Sequence, residues 1–131
     1  MPVLDSSFLI DAQANLPAAK EAMKSLQGQR LLVPYQAALE FVSGFQDRVP
    51  ALRAIRENYE LVMPDEEQLL QAADLFRDAA QRGSKMSWSD IHVAAVAKME
   101  DDILLTADVK AMQDLGLRLW DYRRTATPPS A

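Results

Sequence analysis

Five short apolar runs, separated by stretches of helical length and pattern, constrain this chain more than any other feature. They are Val3 to Asp5, Leu31 to Val33, Tyr59 to Met63, Ile103 to Thr106 and Leu117 to Trp120, and Pro34 and Pro64 close two of them. Runs so brief and so continuously apolar suit strands covered on both faces. The intervening segments carry helix signals. Ser6 stands where it can cap a turn running to Ile10, and Pro17 suits the first position of a helix reaching Leu26, with Gly28 beyond its end. Tyr35 to Phe45 and Pro50 to Asn58 follow. A long helix capped by Asp65 and closed by Gly83 comes next, then Ile91 to Met99, apolar nearly all round and so buried on several sides. Strands alternating with helices are joined by right-handed crossovers into a parallel sheet. The expected fold is α/β, a three-layer α/β/α sandwich around a central, mostly parallel sheet. Residues 1–124 are expected to form one domain, and 125–131, with Pro128 and Pro129, a tail without fixed structure.

Composition narrows the chemistry. A chain of 131 residues builds one core. With no cysteine there is no disulfide, thiolate nucleophile or cysteine-held metal, which fits a reducing compartment. The single histidine, His92, rules out a multi-histidine metal site within one chain. No apolar stretch reaches the roughly 20 residues that cross a bilayer, and no secretory signal opens the chain, so a cytoplasmic protein without membrane association is expected. A net charge of −5 argues against binding nucleic acid through charge alone, although Arg82, Lys85, Lys110, Arg123 and Arg124 are local groups able to meet a phosphate backbone. No glycine-rich phosphate loop and no G-x-S-x-G elbow occurs.

Four carboxylates fall where the expected fold would gather them. Asp5 and Asp108 lie at or just past the carboxyl ends of strands, the edge where open α/β sheets bind ligands. Asp90 begins the apolar helix, and Glu40 reaches the same edge from the helix after the second strand. Hard oxygen donors from separate segments suit Mg²⁺ or Mn²⁺, and such ions suit phosphate chemistry.

Each of the four also has an ordinary reading. Ser87-Trp-Ser-Asp90 fits a capping box, in which Asp90 bonds back to the Ser87 amide. Asp5 and Asp108 fit turns. Glu40 belongs to a polar stripe with Gln36, Ser43 and Asp47, opposite an apolar side of Tyr35, Ala38, Leu39, Val42 and Phe45. In the long helix, Leu69, Ala72, Ala73, Phe76, Ala79 and Ala80 are expected to face the core. It is the coincidence of four acids at one edge that favours a cation, because crowded like charges repel. His92 reads as a satisfied structural histidine, and Asp101 and Asp102 as a solvated turn. Trp88 and Trp120 read as core or rim aromatics, with Trp88 close enough to Asp90 to touch a substrate.

The segments Val3-Leu-Asp5-Ser-Ser-Phe-Leu-Ile10, Ala38-Leu-Glu40-Phe-Val-Ser-Gly44, Ser89-Asp90-Ile-His-Val-Ala-Ala95 and Leu105-Thr-Ala-Asp108 resemble, in order and spacing, the successive motifs of PIN-domain ribonucleases, especially the small VapC-type toxins of toxin–antitoxin pairs. The resemblance spans nearly the whole chain. Met112 departs from it, standing near a position where many relatives carry Phe. The resemblance implies that Asp5, Glu40, Asp90 and Asp108 are the catalytic residues and bind one or two Mg²⁺ or Mn²⁺ ions for hydrolysis of RNA. It further implies that Ser7 and Thr106 orient the metal-binding groups through their hydroxyls, that the protein is a homodimer, and that a cognate antitoxin covers the acidic site with a basic group. Alternatives from other classes are an RNA-processing nuclease without a toxin role, a noncatalytic module retaining the pocket, and an aspartyl phosphatase, whose second Asp is missing from Asp5-Ser-Ser7.

Overall fold

The computed structural model describes residues 1–130. Five short strands, β1 (Val3–Leu4), β2 (Leu32–Pro34), β3 (Glu60–Val62), β4 (Ile103–Leu105) and β5 (Arg118–Trp120), pair in the order β3-β2-β1-β4-β5. Every pairing is parallel, with Val3 opposite Leu32 on one side and Leu104 on the other. Parallel pairing of two- and three-residue strands demands long crossovers, and the helices supply them. They are α1 (Ser6–Gln13), α2 (Pro17–Ser25), α3 (Tyr35–Ser43), α4 (Arg48–Asn58), α5 (Glu66–Gln81), α6 (Trp88–Glu100) and α7 (Val109–Met112).

The chain leaves β1 toward β2 and β3, then crosses back to β4 on β1's other side. This reversal makes the carboxyl ends of β1 and β4 the switch point of the sheet, where a crevice opens. Val3, Leu4, Val33, Leu104 and Leu105 are fully buried, or nearly so, with helices on both faces. From α6, Ile91 and the unbroken run Val93 to Ala97 are buried, as its all-round apolarity required.

Several elements differ from the expectations. The cap of α1 is Asp5, not Ser6: its carboxylate accepts the Ser6 amide at 2.8 Å. On α3 the buried residues are Ala37, Ala38 and Phe41, whereas Leu39 is exposed. On α5 the inward line is Gln68, Leu75 and Ala79, and Leu69, Leu70 and Phe76 face outward. Periodicity marks an apolar side of a helix without saying what covers it, and on α5 the core takes the side bearing Gln68. That amide is accommodated because its nitrogen donates to the Met63 carbonyl and its oxygen meets His92 Nε2 at 3.0 Å. His92 is therefore only half satisfied, for its Nδ1 is buried without a partner and burial pushes its pKa down. Trp120 is core, its indole donating to the Thr125 carbonyl, and Trp88 is rim, 71% exposed. The tail expectation spans 125–131, of which Ala131 lies outside the described residues.

Candidate active site

Asp5 anchors the crevice because it does two local jobs at once. It ends β1, its amide bonding to the Leu105 carbonyl across the sheet, and it starts α1. Its carboxylate is 6% exposed and has both oxygens engaged, one by the Ser6 amide and the other by the Thr106 hydroxyl at 2.7 Å. Thr106 follows β4, is fully buried, and accepts the Asp108 amide at 2.9 Å. One hydroxyl thus ties the carboxyl ends of β1 and β4 to each other.

Glu40 is brought in by two serines that sequence reasoning missed. Ser6 donates to one of its oxygens at 2.8 Å, and Ser89 donates to the other. A lone serine carries no signal in one sequence; the only hint was that Ser6 follows Asp5 and Ser89 precedes Asp90. Ser7 acts differently from Thr106. Its hydroxyl accepts the Ala107 amide at 3.0 Å, so it holds the loop leading to Asp108, and among the described residues it bonds to no carboxylate of the four.

Asp90 lies in the first turn of α6. Half of the expected capping box forms, with the Ser87 hydroxyl accepting the Asp90 amide at 3.1 Å. The reciprocal bond from the Ser87 amide to the Asp90 carboxylate is not found among the described residues. Asp108 is the residue before α7 and makes no side-chain cap bond. Neither carboxylate is explained by capping alone.

Electrostatics link the four. Burial pushes the Asp5 carboxyl above its ordinary value, the Thr106 and Ser6 bonds oppose that rise, and the charges of Asp90 and Glu40 add to it. Asp90 is likewise raised, first by burial, against its bond with Ser87, and then by Asp108 and Glu40. Among the described residues, no three His, Cys, Asp or Glu side chains stand close enough to clasp one ion as they are. The donor set nevertheless suits a hard divalent cation: oxygen only, drawn from four segments, and mutually repulsive until neutralised.

The chain belongs to the PIN domain family, whose model matches residues 3–115. It is 25% identical over 124 residues to Ribonuclease VapC1 of Methanocaldococcus jannaschii, covering 91% of this chain and 86% of that one. Its fold is that of VapBC-1 from nontypeable Haemophilus influenzae, with a TM-score of 0.77 at 22% identity over 93% of this chain and 98% of that one. FitAcB from Neisseria gonorrhoeae is similar at a TM-score of 0.80 and 16% identity, over 95% of this chain and all of the other. No helix among the described residues is long and apolar enough to cross a membrane.

Proposed function

We propose that this chain is a divalent-metal-dependent endoribonuclease acting in the cytoplasm as the toxin of a toxin–antitoxin pair. The observation that carries the reading is the convergence of Asp5, Glu40, Asp90 and Asp108 at the switch point of the sheet, with Asp5 and Asp90 each raised in part by the others' charge. Membership of the PIN domain family and the likeness to a VapC ribonuclease support it.

Asp5, Glu40, Asp90 and Asp108 would hold Mg²⁺ or Mn²⁺, which when bound supplies Lewis-acid charge and an activated water at the scissile phosphodiester. The chain's own residues prepare that site. The Thr106 hydroxyl and Ser6 amide favour the ionised form of Asp5 against its burial. Ser6 and Ser89 fix both oxygens of Glu40, so one ligand arrives from α3 with its orientation set. The amino end of α6 adds a favourable field for a phosphate beside Asp90.

An antitoxin and a second copy of the chain are the proposed protein partners. The support is exposed apolar surface: Leu39, Val49, Leu52 and Met63 line a cavity of about 430 Å³ between α3 and α4. A basic antitoxin side chain entering the acidic crevice would compete with metal and substrate together.

The test is paired. Purified protein should cleave RNA with Mg²⁺ or Mn²⁺ and lose that activity to a chelator, and induced expression should arrest growth. Cleavage without growth arrest would assign a processing nuclease instead, and persistent metal-free cleavage would exclude the mechanism.

A further inference from the structure

Trp88 is the most exposed aromatic of the chain and yet is rigidly backed. Its ring stacks on Phe76 of α5 with centroids 4.4 Å apart and planes within 16°, leaving its other face to solvent at 71% exposure. It is also tethered to the acidic crevice. Ser89, its neighbour, donates to Glu40, and Asp90 is two residues on, within about 7.6 Å of backbone at roughly 3.8 Å per residue.

A second feature lies on the same stretch of chain. A cavity of about 300 Å³ between the end of α5, the segment 84–86 and α7 is lined by three cationic side chains, Arg82, Lys85 and Lys110, and by one carboxylate, Asp114. Arg82 is committed to Asp78 and to the Asp114 carbonyl. Lys85 and Lys110 have no ion pair among the described residues, and both are exposed. Lys110 stands two residues after Asp108, and Lys85 two before Ser87. In a chain of net charge −5, two ammonium groups without an ion pair among the described residues, one of them two residues from Asp108, mark a place for an anion that can extend toward the acids.

We propose that these features form the track for single-stranded RNA, with one base stacked on the open face of Trp88 and neighbouring phosphates taken by Lys85 and Lys110. The assignment deepens the ribonuclease reading and rests on it. A base must be unstacked from its neighbours to lie on an aromatic ring, so the track selects single strands over duplex. Stacking tolerates any base, whereas the lysines read only the backbone, so Trp88 governs affinity more than sequence. Phe76 holds the platform, and the acids cut beside it.

The test uses a single-stranded oligouridylate of about ten nucleotides, long enough to span such a track. In chelator and low salt it should quench the fluorescence of Trp88, which is separable because the other tryptophan, Trp120, is 1% exposed. The matching duplex should quench far less, and no quenching by the single strand would overturn the track. With Mn²⁺, Trp88→Ala should raise KM by about five- to a hundredfold at nearly constant kcat, and Trp88→Phe should recover most of the loss. Lys85→Gln with Lys110→Gln should raise KM and flatten its salt dependence by about 1.4 in log–log slope, at roughly 0.7 per phosphate contact. The oligomeric mass of Trp88→Ala should match the parent; a change would mean that Trp88 meets another copy and would overturn the stacking role. Cleavage with KM unchanged in every variant defeats the track and leaves the nuclease reading intact. Quenching without any metal-dependent cleavage does the reverse.

Discussion

Thr106 is the most informative residue to perturb, because one fully buried hydroxyl serves two acids. It donates to Asp5 at 2.7 Å and accepts the Asp108 amide at 2.9 Å. Thr106→Val keeps the shape and removes both bonds. The bond to a carboxylate is worth about 1.5–3 kcal/mol and the neutral one about 0.5–1.5 kcal/mol. Asp5 is 6% exposed, so water does little to replace the lost donor. The expected loss at neutral pH is therefore about 2–4 kcal/mol, read as a lower urea midpoint at unchanged m. The pH dependence is diagnostic. Thr106 opposes the rise in the Asp5 pKa, so removing it raises that pKa further. Below the parent's folded-state pKa, Asp5 is protonated in both proteins and only the smaller, neutral contribution of about 1 kcal/mol is lost. The penalty should grow as pH rises through that value. Thr106→Ser keeps the hydroxyl and drops a methyl, costing about 1 kcal/mol at every pH. Urea unfolding in chelator across pH 4 to pH 8 or so checks this. A Thr106→Val penalty below about 0.5 kcal/mol, or one flat with pH, would refute the bridging role.

Asp90→Asn should melt no lower than the parent at pH 7 in chelator: burial and the neighbouring charges raise the Asp90 pKa, so its contribution to the parent's stability is fullest below the ordinary value of 3.8 and is lost as pH rises through the folded value. The same variant should lose most of the stabilisation that Mn²⁺ gives by binding the native state, and a lower metal-free melt with an unchanged Mn²⁺ response would return Asp90 to a capping role. Ser87→Ala should cost about 1 kcal/mol of stability from the lost α6 cap while keeping the Mn²⁺ response, as thermal melts with and without Mn²⁺ would report. Asp11 is lowered, first by its bonds from Arg123 and also by Tyr122, so Asp11→Asn should cost about 1–3 kcal/mol at pH 7. That cost should fade as pH falls from 3.8 through the lowered folded value, and acid titration of stability would show it.

The sheet and its acidic edge were legible in the amino-acid sequence because their signals are local. Pro34 and Pro64 end or follow short apolar runs, Asp65 precedes a helix it does cap, and Asp5 sits directly after Val3-Leu4. What escaped the sequence depends on neighbours that only folding supplies. Leu39, Leu69 and Phe76 follow helical periodicity but face solvent, and Gln68 is buried because Met63 and His92 satisfy its amide. Ser6 and Ser89 were invisible as Glu40 partners, because the bonds join residues 34 and 49 positions apart. Asp90 looked like one half of a reciprocal capping box, and only the distances show that the Ser87 half forms alone.

The central claim is that four particular acids, and not acidic surface in general, run the chemistry. Initial rates of RNA cleavage in Mn²⁺ for Asp5→Asn, Asp108→Asn, Asp101→Asn and Asp102→Asn test it directly. Asp101 adopts φ 51° at the end of α6, a conformation that Asn tolerates, and Asp102 meets the amino terminus and the Ile103 amide at the amino end of β4, opposite the end that opens on the crevice. Metal-dependent cleavage should be almost completely lost in the first two variants, with most activity kept in the last two. Equal losses in all four, or full activity in Asp5→Asn, would contradict it.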